Sequence, residues 1–112
     1  MKRFLLLSAL LVILPFSLKA DPPKKIILSF NSETQKLKIE AVHPVNNVEK
    51  HFIDLITISV NGKEVKVINL QKQSDKSEEL IEVELPQITK GTEVVVKARC
   101  NQFGTKKETL KF

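Results

Sequence analysis

Apolar and polar residues alternate with a period of two along most of this chain beyond residue 24. KLKIEAV, residues 36–42, puts Leu37, Ile39 and Ala41 on one side and Lys36, Lys38 and Glu40 on the other. That is the pattern of a strand with one face buried. LIEVEL (80–85) repeats it with Ile81, Val83 and Leu85 facing inward, and TEVVVKARC (92–100) sets Val94, Val96, Ala98 and Cys100 on one face. KIILSF (25–30) reads as a further strand, as does ETLKF (108–112), whose inward pair is Leu110 and Phe112. FIDLITISV (52–60) and KEVKVINL (63–70) flank Asn61-Gly62, a pair that accepts positive φ at both turn positions and so signals a tight hairpin. QKQSDKSEE (71–79) is polar and predicts a loop, and no stretch carries a helical period. Seven short strands at these intervals predict an all-β fold, a seven-stranded immunoglobulin-like antiparallel β-sandwich.

The first twenty residues break the pattern. MKRFLLLSALLVILPFSLKA has a basic start, an apolar run from Phe4 to Phe16, and Ala20 as a small residue for cleavage. This predicts a signal peptide over 1–20 and a single domain over 21–112, periplasmic or secreted after cleavage near Ala20. The run is short for a membrane span. Leu18 fits poorly two residues before the cut, so an uncleaved anchor is the alternative reading. The net charge of +5 includes Lys2, Arg3 and Lys19, with no acid among the first twenty residues, which leaves +2 from Asp21 onward. Those charges are mixed in sign, and the chain has no Trp and no Tyr, so nucleic-acid binding is not expected. No membrane contact is expected beyond the signal segment.

Chemistry-bearing residues are few: His43, His51 and the single cysteine, Cys100. One cysteine cannot form a disulfide within the chain. The two histidines bracket HPVNNVEKH, between the second and third predicted strands, and Cys100 ends the sixth. In an immunoglobulin-type sandwich those connections share one end. Strand parity carries His43 to the side of Leu37, Ile39 and Ala41, and Cys100 to the side of Val94 and Val96. Two imidazoles and a thiolate suit iron, copper or zinc. The bland alternative is a buried cysteine acting as a small hydrophobe beside solvated loop histidines. Asp54, three residues after His51, is expected either to orient that imidazole or to be a surface charge. No hydrolytic motif or phosphate-binding glycine loop is present, so no catalytic residue is assigned.

HPV, then EKHFIDLI and NGKEV, then CNQFG about 50 residues after His51, resemble the iron-binding domain of the desulfoferrodoxin and neelaredoxin family, the superoxide reductases. The resemblance covers roughly residues 36–107 and implies a seven-stranded immunoglobulin-like sandwich. It also implies an iron site with four equatorial histidines and an axial cysteine thiolate. His43, His51 and Cys100 match three of those ligands, and Asn101 and Gly104 match their motif positions. Phe103 stands where the family has the histidine of its cysteine motif, and it is expected to dry the rim there. No histidine precedes His43 to match the family's early Glu-Lys-His segment. A four-histidine centre cannot be built from two histidines.

The expectation is therefore a reduced site, His43, His51 and Cys100, holding one iron ion, or copper by ligand count, with a redox role and a redox or protein partner. The competing expectation is a non-catalytic immunoglobulin-like binding or carrier module that has lost the centre and holds no cofactor. Carriage of a sulfur species on Cys100 is a third reading, opposed by the inward direction of that residue.

Overall fold

The computed structural model describes residues 20–86 and 88–112. All of the predicted signal peptide except Ala20 lies outside the described residues. The elements are β1 (Lys25–Asn31), β2 (Lys36–Val42), β3 (Ile53–Val60), β4 (Lys63–Asn69), β5 (Glu78–Glu84), β6 (Glu93–Cys100) and β7 (Thr105–Lys111). They form two antiparallel sheets, one ordered β1-β2-β5 and the other β4-β3-β6-β7. Among the described residues no helix is long and apolar enough to cross a membrane.

The inward faces are those the alternation predicts. Leu37, Ile39 and Ala41 of β2 and Val94, Val96 and Ala98 of β6 are fully buried, with Ile53, Ile56 and Ile58 of β3 between the sheets. Each buried Leu, Ile or Val of this kind contributes about 1.5–3 kcal/mol relative to exposure. The core closes without a disulfide, and Cys100 is free. At the far end of the sandwich from Cys100, Phe30 and Phe112 meet edge to face with ring centroids 5.2 Å apart.

Asn61 and Gly62 both take positive φ, 49° and 83°, as the hairpin requires. The tight turn keeps β4 beside β3, whereas a constant-type immunoglobulin domain puts its fourth strand in the opposite sheet. Two boundaries differ from the sequence pattern by more than one residue. β5 begins at Glu78, two residues inside the predicted polar loop, because Glu79 turns inward and is 4% exposed. β7 begins at Thr105 rather than at residue 108. Its first residues, Thr-Lys-Lys-Glu, carry no apolar signal because they lie on an edge strand facing water, where lysines guard against edge pairing.

Parity slips in two places: in the β3–β4 pairing, where Ile58 faces Lys66 and Ser59 faces Glu64 with Val65 as the extra residue, and near the start of β3. Ile53 pairs with Cys100 and Leu55 with Arg99, so Asp54 is the extra residue of a bulge. Without it, Ile53 and Ile56 could not both face the core. The bulge sits beside Cys100 and sets the direction in which the chain arrives from His51.

Candidate metal centre

His43 continues the inward face of β2 one residue beyond the strand, and it is 1% exposed. Its backbone N–H donates to the Ser77 carbonyl at 2.9 Å, which prolongs the β2–β5 pairing and fixes the ring's point of departure. The ring itself is held by Gln73. The Gln73 amide nitrogen donates to the carbonyls of His43 (2.7 Å) and Asp75 (2.9 Å). Both partners only accept, so the amide has one possible orientation. Its Oε1 then accepts from His43 Nδ1–H at 2.7 Å and from the Ile53 N–H at 3.3 Å. This network holds a proton on Nδ1, so a neutral His43 ring keeps its lone pair on Nε2, the tautomer that suits coordination; only acceptor oxygens of Asp21 face that nitrogen, which calls for a cation or a second proton there.

His51 arrives from the β2–β3 connection. Asn47 turns that segment, its carbonyl accepting from the N–H groups of Lys50 and His51 and its side-chain oxygen from Glu49 N–H. Asn101 ties the turn to the end of β6. Its N–H donates to the Phe52 carbonyl, its Oδ1 accepts from Phe52 N–H, both at 2.9 Å, and its Nδ2 reaches the Lys50 carbonyl at 3.1 Å. The asparagine after the cysteine therefore carries His51 towards Cys100. The two imidazoles meet edge to face, centroids 4.9 Å apart. Cys100 is 2% exposed, and its sulfur accepts from Gln102 N–H at 3.3 Å.

A fourth group comes from the segment before β1. Pro23 is fully buried, and Asp21 N–H donates to the Phe103 carbonyl at 2.7 Å. Gly104 makes the approach possible. At φ +113°, a Cβ there would stand 2.8 Å from Pro22 Cδ and from Pro22 N. The Asp21 carboxylate oxygen Oδ2 lies 2.8 Å from His51 Nε2 and 3.3 Å from His43 Nε2, and the Asp21 carbonyl is 3.0 Å from His43 Nε2. One donor atom from each of Asp21, His43, His51 and Cys100 falls within 4.8 Å of the others. His51 Nε2 is buried and, despite its distance from Asp21, makes no hydrogen bond. It is the one such buried side-chain nitrogen or oxygen among the described residues. Three oxygen contacts thus crowd two imidazole nitrogens, an arrangement that asks for a cation or protons between them.

The three residues expected from the sequence come together here. Asp21 and Gln73 were not anticipated. The first sits in a leader without periodicity, and the second in a polar stretch that gives no sign of burial, although Gln73 is 1% exposed. Asp54 does not orient His51. Pushed out of register by the bulge, it takes Arg99 in a two-pronged pair, at 2.9 and 3.0 Å, which raises the guanidinium pKa further above its ordinary value. Phe103 does not dry the rim either. Its side chain is 55% exposed, and its contribution to the site is the carbonyl that holds Asp21. Its φ of 149° is unfavourable for a residue with a Cβ.

No family model matches the chain, and no curated protein does. Among solved structures it is similar to the superoxide reductase (1Fe-SOR) from Giardia intestinalis, with a TM-score of 0.59 at 13% identity. The likeness covers 81% of this chain and 99% of that one. The two share a superoxide-reductase-like sandwich fold.

Proposed function

We propose that this protein is an exported metal-binding domain that holds a single transition-metal ion between the sheets through His43, His51 and Cys100. The observation that carries this reading is the meeting of the buried His51 Nε2, a second imidazole and a buried thiol within 4.8 Å, where that Nε2 makes no hydrogen bond although the Asp21 carboxylate is 2.8 Å away. A polar atom so placed costs about 1–3 kcal/mol unless something satisfies it. The Gln73 clamp on His43 supports the reading, because it takes up Nδ1 and turns Nε2 of that ring towards the space shared with His51 and Asp21. Export rests on the layout of the first twenty residues.

The resemblance to superoxide reductases gives iron, and the ligand count of two imidazoles and one thiolate gives copper as the alternative. The four-histidine iron centre of that family does not fit these residues. The chain has two histidines, and Phe103 stands in a third's place. Superoxide reduction is therefore no part of the proposal. When bound, the ion would supply a positive charge that satisfies both Nε2 atoms and keeps the Cys100 sulfur as thiolate. Gln73 and Asn101 would hold the two rings in place for it.

The test is elemental analysis of protein purified without a metal-binding tag under anaerobic conditions, beside His43→Ala and Cys100→Ser. One equivalent of metal in the parent, lost in both variants, is the expected result. Protein that takes up neither iron, copper nor zinc supports the carrier module instead. In that case Asp21 would serve as a latch that fastens the segment before β1 to the two imidazoles.

A further inference from the structure

We infer that Asp21 is a fourth ligand, and that it turns the site into a closed four-donor centre selective for a zinc-like divalent ion rather than an open redox centre. This rests on the metal reading above and extends it. Three observations carry it.

The first is position. Asp21 Oδ2 lies 2.8 and 3.3 Å from the two imidazole nitrogens that would also bind the ion. Donors around a tetrahedral zinc with bonds of about 2.0–2.1 Å stand roughly 3.3 Å apart. The carboxylate thus already holds about the spacing of a neighbouring ligand. The wider pairs, within 4.8 Å, need a contraction of about 1 Å.

The second is charge. Two neutral imidazoles and one thiolate around a divalent ion leave an excess of one positive charge at a site whose inner wall, His43 and Cys100, is 1% and 2% exposed and whose outer wall, His51 and Asp21, is 22% and 41% exposed. Uncompensated charge is costly in such surroundings. The Asp21 carboxylate brings the assembly to neutrality.

The third is delivery. The carboxylate is not on a loose tail. Buried Pro23, Pro22 packed on Gly104, and the 2.7 Å bond from Asp21 N–H to Phe103 fix the strap across the site. An N2OS set of this kind, with a protein donor in the fourth position, matches closed zinc sites, whereas centres that react with a small molecule keep a position open.

The experiment uses protein expressed from the full chain and purified as the cell processes it, with the amino terminus fixed by mass spectrometry. Zinc affinity is measured by competition with a chromophoric chelator, and coordination number by the visible spectrum of the Co(II) form. Four proteins are compared: the parent, Asp21→Asn, Asp21→Ala, and Glu33→Gln as a control carboxylate at the opposite end of the sandwich. Far-ultraviolet circular dichroism of the metal-free forms checks folding. Asp21→Asn preserves the backbone bonds of the strap. A direct donor is worth at least as much as an outer partner, so both Asp21 variants should lose about 10–100-fold or more in zinc affinity. Their Co(II) bands should fall from the intense tetrahedral pattern to the weak one of a water-completed site, with the thiolate band retained. Glu33→Gln should match the parent. Equal affinity and an unchanged spectrum in Asp21→Asn would overturn this inference while leaving the His43–His51–Cys100 site standing. A parent that binds neither zinc nor Co(II) would overturn both.

Discussion

Replacing Gln73 with leucine removes one side chain that makes four hydrogen bonds, at 2.7, 2.7, 2.9 and 3.3 Å. Each is worth about 1 kcal/mol net, and groups left buried without partners cost more. The gross loss is about 4 kcal/mol or a little more. Leucine regains about 1 kcal/mol by apolar burial, since the glutamine methylenes were already buried. The expected net destabilisation is therefore about 3 kcal/mol, set against a total of about 5–14 kcal/mol for a domain of this length. The variant should remain folded and melt about 10–20 °C lower. The assay is thermal and urea unfolding in the presence of chelator, so that bound metal adds nothing to either protein. Gln73→Glu is the companion. It keeps an acceptor for His43 Nδ1–H and Ile53 N–H but turns a carboxylate oxygen towards the carbonyls of His43 and Asp75, and it should do no better. A leucine variant that melts within about 2 °C of the parent would refute the claim that Gln73 is what holds His43 in place.

Further outcomes follow from the strap and from the buried acid Glu79. Gly104→Ala sets a Cβ 2.8 Å from Pro22 at a φ of +113°, and should cost about 1–3 kcal/mol in melts. It should weaken metal binding along with Asp21→Asn, and unaltered affinity would show that the strap is not needed. Glu79 is pushed above the ordinary carboxylate pKa by burial, opposed by the N–H and hydroxyl of Ser74. With its folded value above its unfolded one, its contribution to stability is fullest at low pH and is lost as pH rises through the folded value. Relative to Glu79→Gln, the parent should therefore gain stability as pH falls from neutral towards 4.5, the ordinary value. A constant difference across that range in chelator-treated protein would contradict it.

The strands with a buried face were legible because parity writes the core into the sequence. The same parity carried His43 and Cys100 inward, two residues beyond Ala41 and Ala98 respectively, and sandwich topology brought their ends together. Legibility stopped where no period operates. Asp21 lies before the first strand, and its role depends on Gly104 lacking a Cβ more than eighty residues away. Gln73 reads as one polar residue among nine, and only the fold reveals that it meets His43, Asp75 and Ile53 together. Of the two expectations for Asp54 the charge paired away from His51 holds, and parity could not choose between them because a bulge adds a residue and counting by twos fails across it. The first residues of β7 were missed because a solvated, lysine-rich edge strand has no apolar face to recognise.

The central claim is one metal ion on His43, His51 and Cys100, and titration of metal-depleted protein with Co(II) tests it most directly. The account predicts saturation at one equivalent, with a thiolate-to-metal absorption band in the parent that is absent from Cys100→Ser. No uptake, or a spectrum that Cys100→Ser leaves unchanged, would contradict it and return Cys100 to the core as a buried thiol.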